Sequence, residues 1–388
     1  MLKSLVAIAV GIALTPAASL SQSLQARLQA AIDSLHAAGR FPGATVGVAL
    51  PNGTSFGLAV GWSDTIRKER MRVTHRMPQG SVGKTYFAAV ALQLVREGKL
   101  DLDAKVERYL GKQEWWRAAD GRVRLPNGAD ITVGQLMTHT SGVVRYEFKQ
   151  EFLRDLTASP HREWKPVDRL AYILDTAPPF AAGRGWEYSD TNYILLGMII
   201  EQITGQPAYD EIRRRILGPF ELRNTIPSDR LELPGVSQGY AGPNNDFGGH
   251  DAMIADGKFT VNPQLEWAGG GYASTAEDLA RWAAITFSGR AFGEDLLQKA
   301  VQGVEARGLG TGARYGLGVI VRDTPLGFSY GHSGFFPGYL TEVRYYPQQR
   351  FAIAIQFNTS VGRAIGRKPG TVLQALAAIV AEDLNRRN

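Results

Sequence analysis

The chain has 388 residues, 44% of them hydrophobic and 21% charged, with a formal net charge of +6. These values are ordinary for a soluble globular protein and exclude a disordered, collagen-like or polytopic membrane chain. The sequence holds no cysteine. That excludes disulfides, thiolate metal sites and a lipidated N-terminal cysteine.

Lys3 precedes an apolar run from Leu5 to Leu14, and the small residues Ala17 and Ala18 follow Pro16. The run is short of the roughly 20 residues that span a bilayer. Residues 1–18 are therefore expected to be an export signal, with an uncleaved anchor as the alternative. A periplasmic or secreted protein follows, with no stable membrane insertion after signal cleavage. The densest basic runs, Arg213–Arg215 and Arg386–Arg387, do not form a stripe interleaved with aromatics, so no nucleic-acid partner is expected.

The spacing of Leu24, Leu28, Ile32 and Leu35 predicts a helix over 22–38. Strands are expected at 44–50 and 57–61, around Pro51-Asn52-Gly53. A helix over 81–97 is stopped by Gly98. From about 115 to 267 the chain reads as loops and short helices with Pro and Gly clusters. A helix over 277–287 starts at Ser274-Thr275, and strands follow at 316–322, 341–346 and 351–357. An amphipathic helix over 371–385 closes the chain. The expected fold class is α+β: an antiparallel sheet built from both ends, flanked by helices, with an inserted mostly helical region. One domain over 19–388 would divide into a sheet subdomain (22–114 plus 268–388) and a helical subdomain (115–267). Ligands favour such junctions.

Three stretches carry chemistry. In Ser81-Val82-Gly83-Lys84, residues three apart share a helix face, so the Lys84 amine reaches the Ser81 hydroxyl. A serine needs a base to become a nucleophile, and a neutral buried lysine could be one. By itself S-x-x-K is better read as an N-capping serine with a surface lysine. The apolar run from Tyr86 to Leu92 marks a buried helix, which draws Lys84 inward. Tyr188-Ser189-Asp190 enters an apolar helix, where Ser189 or Asp190 could be a plain cap or Tyr188 a proton carrier. In Gly331-His332-Ser333-Gly334-Phe335, small residues let a substrate lie along a strand edge. There His332 is either a substrate donor or a structural histidine in a turn.

Together, in this order, the stretches resemble the serine beta-lactamase and penicillin-binding protein superfamily, whose signature includes S-x-x-K. The nearest branch is that of class C beta-lactamases, D-alanyl-D-alanine carboxypeptidases and family VIII esterases. Tyr188-Ser189-Asp190 resembles its Y-x-N motif with the last position changed, and His332-Ser333-Gly334 its K-T-G or H-x-G motif. The phrases Leu136–Gly142 and Gly269–Thr275 are similar as well. The resemblance implies that Ser81 is acylated and that Lys84 and Tyr188 move its proton. Asp190, His332, Gly334 and Phe335 would contact substrate, with the Ser81 and Phe335 N–H groups as oxyanion hole.

Asp190 departs from asparagine. It loses the amide donor and could keep Lys84 charged, which would shift base duty to Tyr188. His332 departs from lysine and removes a permanent cation. The expected activity is acyl-enzyme hydrolysis of amides or esters, of D-alanyl peptides, cell-wall peptide among them, or of small esters. Class C-type beta-lactamase activity and a non-catalytic binding or sensor protein remain as alternatives. An α/β-hydrolase is disfavoured, because the alternating strand–helix pattern which that fold needs is absent. No metal or other cofactor is expected, since the six histidines form no H-E-x-x-H.

Overall fold

A computed structural model describes residues 16–387 apart from 244, 246 and 249. The expected export signal lies outside the described residues up to residue 15. The first helix, α1 (Pro16–Ala38), leads into β1 (Gly43–Ala49), β2 (Ser55–Asp64) and the short β3 (Glu69–Arg70). Next come α2 (Lys84–Arg96), α3 (Asp190–Thr204) and α4 (Ala276–Thr286). The remaining strands are β4 (Val304–Glu305), β5 (Arg314–Tyr315), β6 (Ile320–Thr324), β7 (Gly327–Phe336), β8 (Tyr339–Tyr346) and β9 (Phe351–Phe357), and α5 (Pro369–Arg387) ends the chain.

The nine strands form one sheet in the order β3-β2-β1-β9-β8-β7-β6-β5-β4, and every pairing is antiparallel. The two ends of the chain meet at its centre, where Ala44 pairs with Phe357 and Ala49 with Ala352. This is the α+β architecture expected from the sequence. Side chains alternate across the pleat, so Ile353 and Ile355 join one core and Ala352 and Ala354 the other. The first core receives Leu28 and Ile32 of α1 and Leu373 and Leu376 of α5. The second receives Leu279 and Ala283 of α4, and continues into α2 and α3. Each large side chain so buried contributes about 1.5–3 kcal/mol.

Two local expectations change. The strand expected over 316–322 begins only at Ile320. Residues 316–319 turn instead, closed by a hydrogen bond from the Gly316 N–H to the Val319 carbonyl. The helix expected from Ser81 begins at Lys84, and Gly80–Gly83 forms a preceding 3₁₀ turn.

This turn borders β7. The pairing of β6 with β7 stops at Gly331, whereas β8 pairs with β7 through Phe336. Residues 332–336 therefore keep one unpaired edge beside the turn. Gly334 must be glycine there, since a Cβ would lie 1.9 Å from the Gln79 carbonyl oxygen. Gly83 is packed as tightly, because a Cβ would sit 1.7 Å from the Gly270 carbonyl oxygen.

Candidate active site

The 3₁₀ turn carries Ser81, and the first residue of α2 is Lys84, whose side chain is fully buried. Lys84 Nζ donates to Ser81 Oγ at 3.0 Å, to Asp190 Oδ1 at 2.6 Å and to the Gly269 carbonyl oxygen. An ammonium has three donors and no acceptor, so Lys84 is saturated. Burial works against its charge, but the Asp190 carboxylate outweighs it and holds the amine far above the ordinary lysine range. The N-cap alternative for this stretch fails, because Ser81 caps neither helix and the lysine is not on the surface.

Asp190 opens α3, and Ser189 before it makes no side-chain cap. Tyr188 precedes them, and its ring centroid lies 4.9 Å from Lys84 Nζ. Its buried hydroxyl makes no hydrogen bond of ordinary geometry, but it faces both Lys84 and Ser81. Burial raises its pKa and Lys84 opposes the rise, so the phenol is neutral at physiological pH.

His139 packs on Tyr188 with ring centroids 4.2 Å apart. Its Nδ1 accepts from the Ser189 N–H at 3.3 Å, and Asn192 Nδ2 lies at 3.0 Å. A backbone N–H can only donate, so the His139 proton sits on Nε2. Burial and then Lys84 hold this histidine well below the ordinary value, and it stays neutral. The sequence places His139 within the Leu136–Gly142 phrase but does not foretell this contact with Tyr188.

His332 lies in β7 rather than in a turn, and is buried. Its Nδ1 is 2.6 Å from the Ser333 carbonyl oxygen, and its Nε2 is 2.9 Å from Tyr315 Oη. The carbonyl accepts only, so Nδ1 carries the proton and Nε2 accepts from Tyr315. Burial, then Lys84, lowers its pKa to about 3. The imidazole is neutral, and both nitrogens are engaged within the protein.

Ser81, Tyr188, Asp190, His332, Gly334 and Phe335 line one cavity of about 1020 Å³. The structure thus brings every sequence-selected site residue together, with Lys84 directly behind Ser81. Sequence reasoning missed Tyr315, Arg145, Glu147 and Glu266. Each is a single residue outside the three motifs, although Arg145 lies three residues after the phrase Leu136–Gly142 and Glu266 three before Gly269–Thr275. Glu147 pairs with Arg145 at 3.0 Å. Burial and then Asp190 push the Glu147 carboxyl up to about 7 and that of Glu266 up to about 8. At the cavity mouth Phe148 and Phe335 are exposed, and Phe247 lies 6.0 Å from the Phe335 ring. Among the described residues no helix is long and apolar enough to cross a membrane.

A serine hydroxyl held by a buried lysine, with a neutral phenol beside it in a cleft, defines an enzyme of the serine hydrolase class. The chain belongs to the Beta-lactamase family, whose model matches residues 28–377. It is 27% identical over 339 residues to Esterase EstB of Burkholderia gladioli, covering 80% of this chain and 84% of the esterase. A 156-residue stretch is 32% identical to Penicillin-binding protein 4 of Amycolatopsis lactamdurans and spans only 37% of that relative. Among solved structures, a D-stereospecific amidohydrolase from Streptomyces sp. superposes with TM-score 0.72 at 27% identity, over 89% of this chain and 96% of that one.

Proposed function

We propose that this protein is an exported hydrolase that forms an acyl-enzyme on Ser81 and acts on small esters and amides, including D-alanyl-type amides. The observation that carries the proposal is the bond from saturated Lys84 to Ser81 Oγ at 3.0 Å, with the buried Tyr188 hydroxyl facing both. Lys84 has no lone pair to offer, so it serves as a fixed cation that orients Ser81. The proton path then runs through Tyr188. Ser81 Oγ attacks the acyl carbon, and its proton moves to the Tyr188 oxygen. The phenol's own proton passes to the leaving oxygen or nitrogen, whose bond to the acyl carbon breaks. Water repeats the relay to release the acid and free Ser81.

The N–H groups of Ser81 and Phe335 receive the oxyanion. A Cβ added to Gly80 would lie 2.6 Å from Phe335 N, a measure of how closely these backbones approach. Asp190 holds Lys84 charged. The edge of β7 at Gly334 and Phe335 takes the extended part of the substrate, and His332 fixes that edge through its two internal bonds.

Similarity to an esterase over most of its length, and to a D-stereospecific amidohydrolase, supports this substrate range. The neutral His332 leaves no cation at that position for a β-lactam carboxylate, so penicillin-type substrates rank below esters. Export rests on residues 1–18, and sequencing the N-terminus of the mature protein from the periplasm tests it.

The functional test compares nitrocefin, a D-Ala-D-Ala peptide and p-nitrophenyl esters with wild type and Ser81→Ala. Turnover of an ester or D-alanyl amide that vanishes in Ser81→Ala is expected. Equal turnover in both proteins overturns the mechanism.

A further inference from the structure

Beyond the relay, the cavity holds a carboxyl group with no assigned task. Glu266 lines the cavity, is 8% exposed, and its Oε2 is buried without a hydrogen-bond partner. It lies one short turn before Gly269, whose carbonyl receives a Lys84 hydrogen bond. A Cβ placed on Gly270 would meet Glu266 Oε1 at 2.7 Å and the Gly80 carbonyl carbon at 2.8 Å. The carboxyl is thus adjacent to the turn that carries Ser81. A buried carboxyl with an unused oxygen beside the nucleophile is costly unless a ligand completes it.

Two kinds of ligand could do so. An ammonium group would need a carboxylate, while a carbonyl oxygen would need a carboxylic acid. The surroundings choose between them. The groups facing Glu266 are Asp190, Lys84, Tyr146 and Tyr209. Asp190 neutralises Lys84 at 2.6 Å, so Glu266 has no cation of its own. Glu147 differs in this respect, because Arg145 at 3.0 Å favours its ionised form.

We propose that Glu266, as a carboxylic acid, donates a hydrogen bond to a second carbonyl oxygen of the substrate, beyond the scissile one. It would supply the donor that Asp190, as a carboxylate, does not. The substrate class is then narrowed to acyl groups bearing an amide or similar acceptor, such as N-acylated amino acid esters and amides. This rests on the acyl-enzyme function proposed above. The donor exists while Glu266 keeps its proton, which burial and Asp190 hold to about pH 8. Both tyrosines are pushed above their ordinary value by burial, and Lys84 is raised, so none of these three titrates near that pH.

The test measures kcat/KM for two esters, N-acetyl-D-alanine p-nitrophenyl ester and p-nitrophenyl propionate, which differ by the acetamido group. Wild type, Glu266→Gln and Glu266→Leu are compared from pH 6 to 9, with circular dichroism as the check on folding. Wild type should prefer the acetamido ester, and that preference should fall above pH ~8. Glu266→Gln keeps an N–H donor, so it should retain the preference and lose its alkaline decline. Glu266→Leu should lose the preference by about tenfold, the worth of one hydrogen bond.

A preference unchanged in Glu266→Leu overturns the proposal, as does one lost equally in Glu266→Gln, which would point to a carboxylate. If the leucine variant does not fold, the glutamine profile alone decides, because an alkaline decline that persists there is fatal. Wild type that turns over neither ester in a Ser81-dependent way refutes the acyl-enzyme function and this inference with it. Normal turnover with no effect of residue 266 refutes the inference alone.

Discussion

Asp190→Asn removes one charge from the buried pair and leaves Lys84 without its carboxylate. Lys84 is 0% exposed, and its partner oxygen sits 2.6 Å away. Breaking a buried pair on one side costs about 3–5 kcal/mol, because the remaining charge is uncompensated. The variant relieves part of this by releasing the proton. In wild type the folded pKa of Lys84 lies above its unfolded value. The stability it contributes is therefore fully present below the unfolded pKa, and declines only as pH passes through the higher folded one. In the variant, burial is left as the largest influence and drives the folded pKa below the unfolded one. The unfolded chain then binds more protons, and stability rises with pH between the two values. Each unit of depression contributes about 1.4 kcal/mol of that rise. Urea unfolding at pH 7 and pH 9, with fixed ionic strength, measures the effect. Wild type should show little change from Lys84 over that interval, and Asp190→Asn should be weaker at pH 7 and recover toward pH 9. Equal stability of the two proteins at pH 7, or parallel slopes with pH, would refute the charged-pair account.

Other expectations follow from the same geometry. Ser81→Ala should abolish turnover and covalent labelling by a fluorophosphonate probe while the circular dichroism spectrum stays unchanged. Tyr188→Phe should lower kcat at least about a hundredfold, as loss of a proton carrier does, with pre-steady-state ester cleavage as the assay. Tyr315→Phe leaves the buried His332 Nε2 without its donor at 2.9 Å. An unsatisfied buried acceptor costs about 1–3 kcal/mol, which thermal unfolding would detect.

The nucleophile and its neighbours were legible because each motif is contiguous. Ser81 and Lys84 are three residues apart, and Tyr188 and Asp190 two. The burial of Lys84 could be argued from the apolar run after it. The sheet built from both ends was legible through the strand patterns at 44–50 and 351–357, which match β1 and β9 within a residue. Other features depend on distant partners. Tyr315 matters because its hydroxyl meets a histidine on another strand, and Glu266 because α3 brings Asp190 beside it. No local pattern encodes either contact. His332 shows the same limit, since its two internal acceptor and donor bonds are visible only once β5 and β7 are in place. The strand at 320 started late because a Gly316–Val319 turn replaces its first residues.

The pairing of β1 with β9 has a consequence for how the molecule is made. A ribosome or translocon delivers residues 43–49 first and must deliver some 300 more before their neighbour, residues 351–357, exists. Until then the central ribbon has a raw flank on which another nascent chain could settle. Maturation is expected to be slow and late, as for any architecture dominated by remote contacts. A holdase that shields the early hairpin should raise the yield of native protein more than one acting on the finished chain.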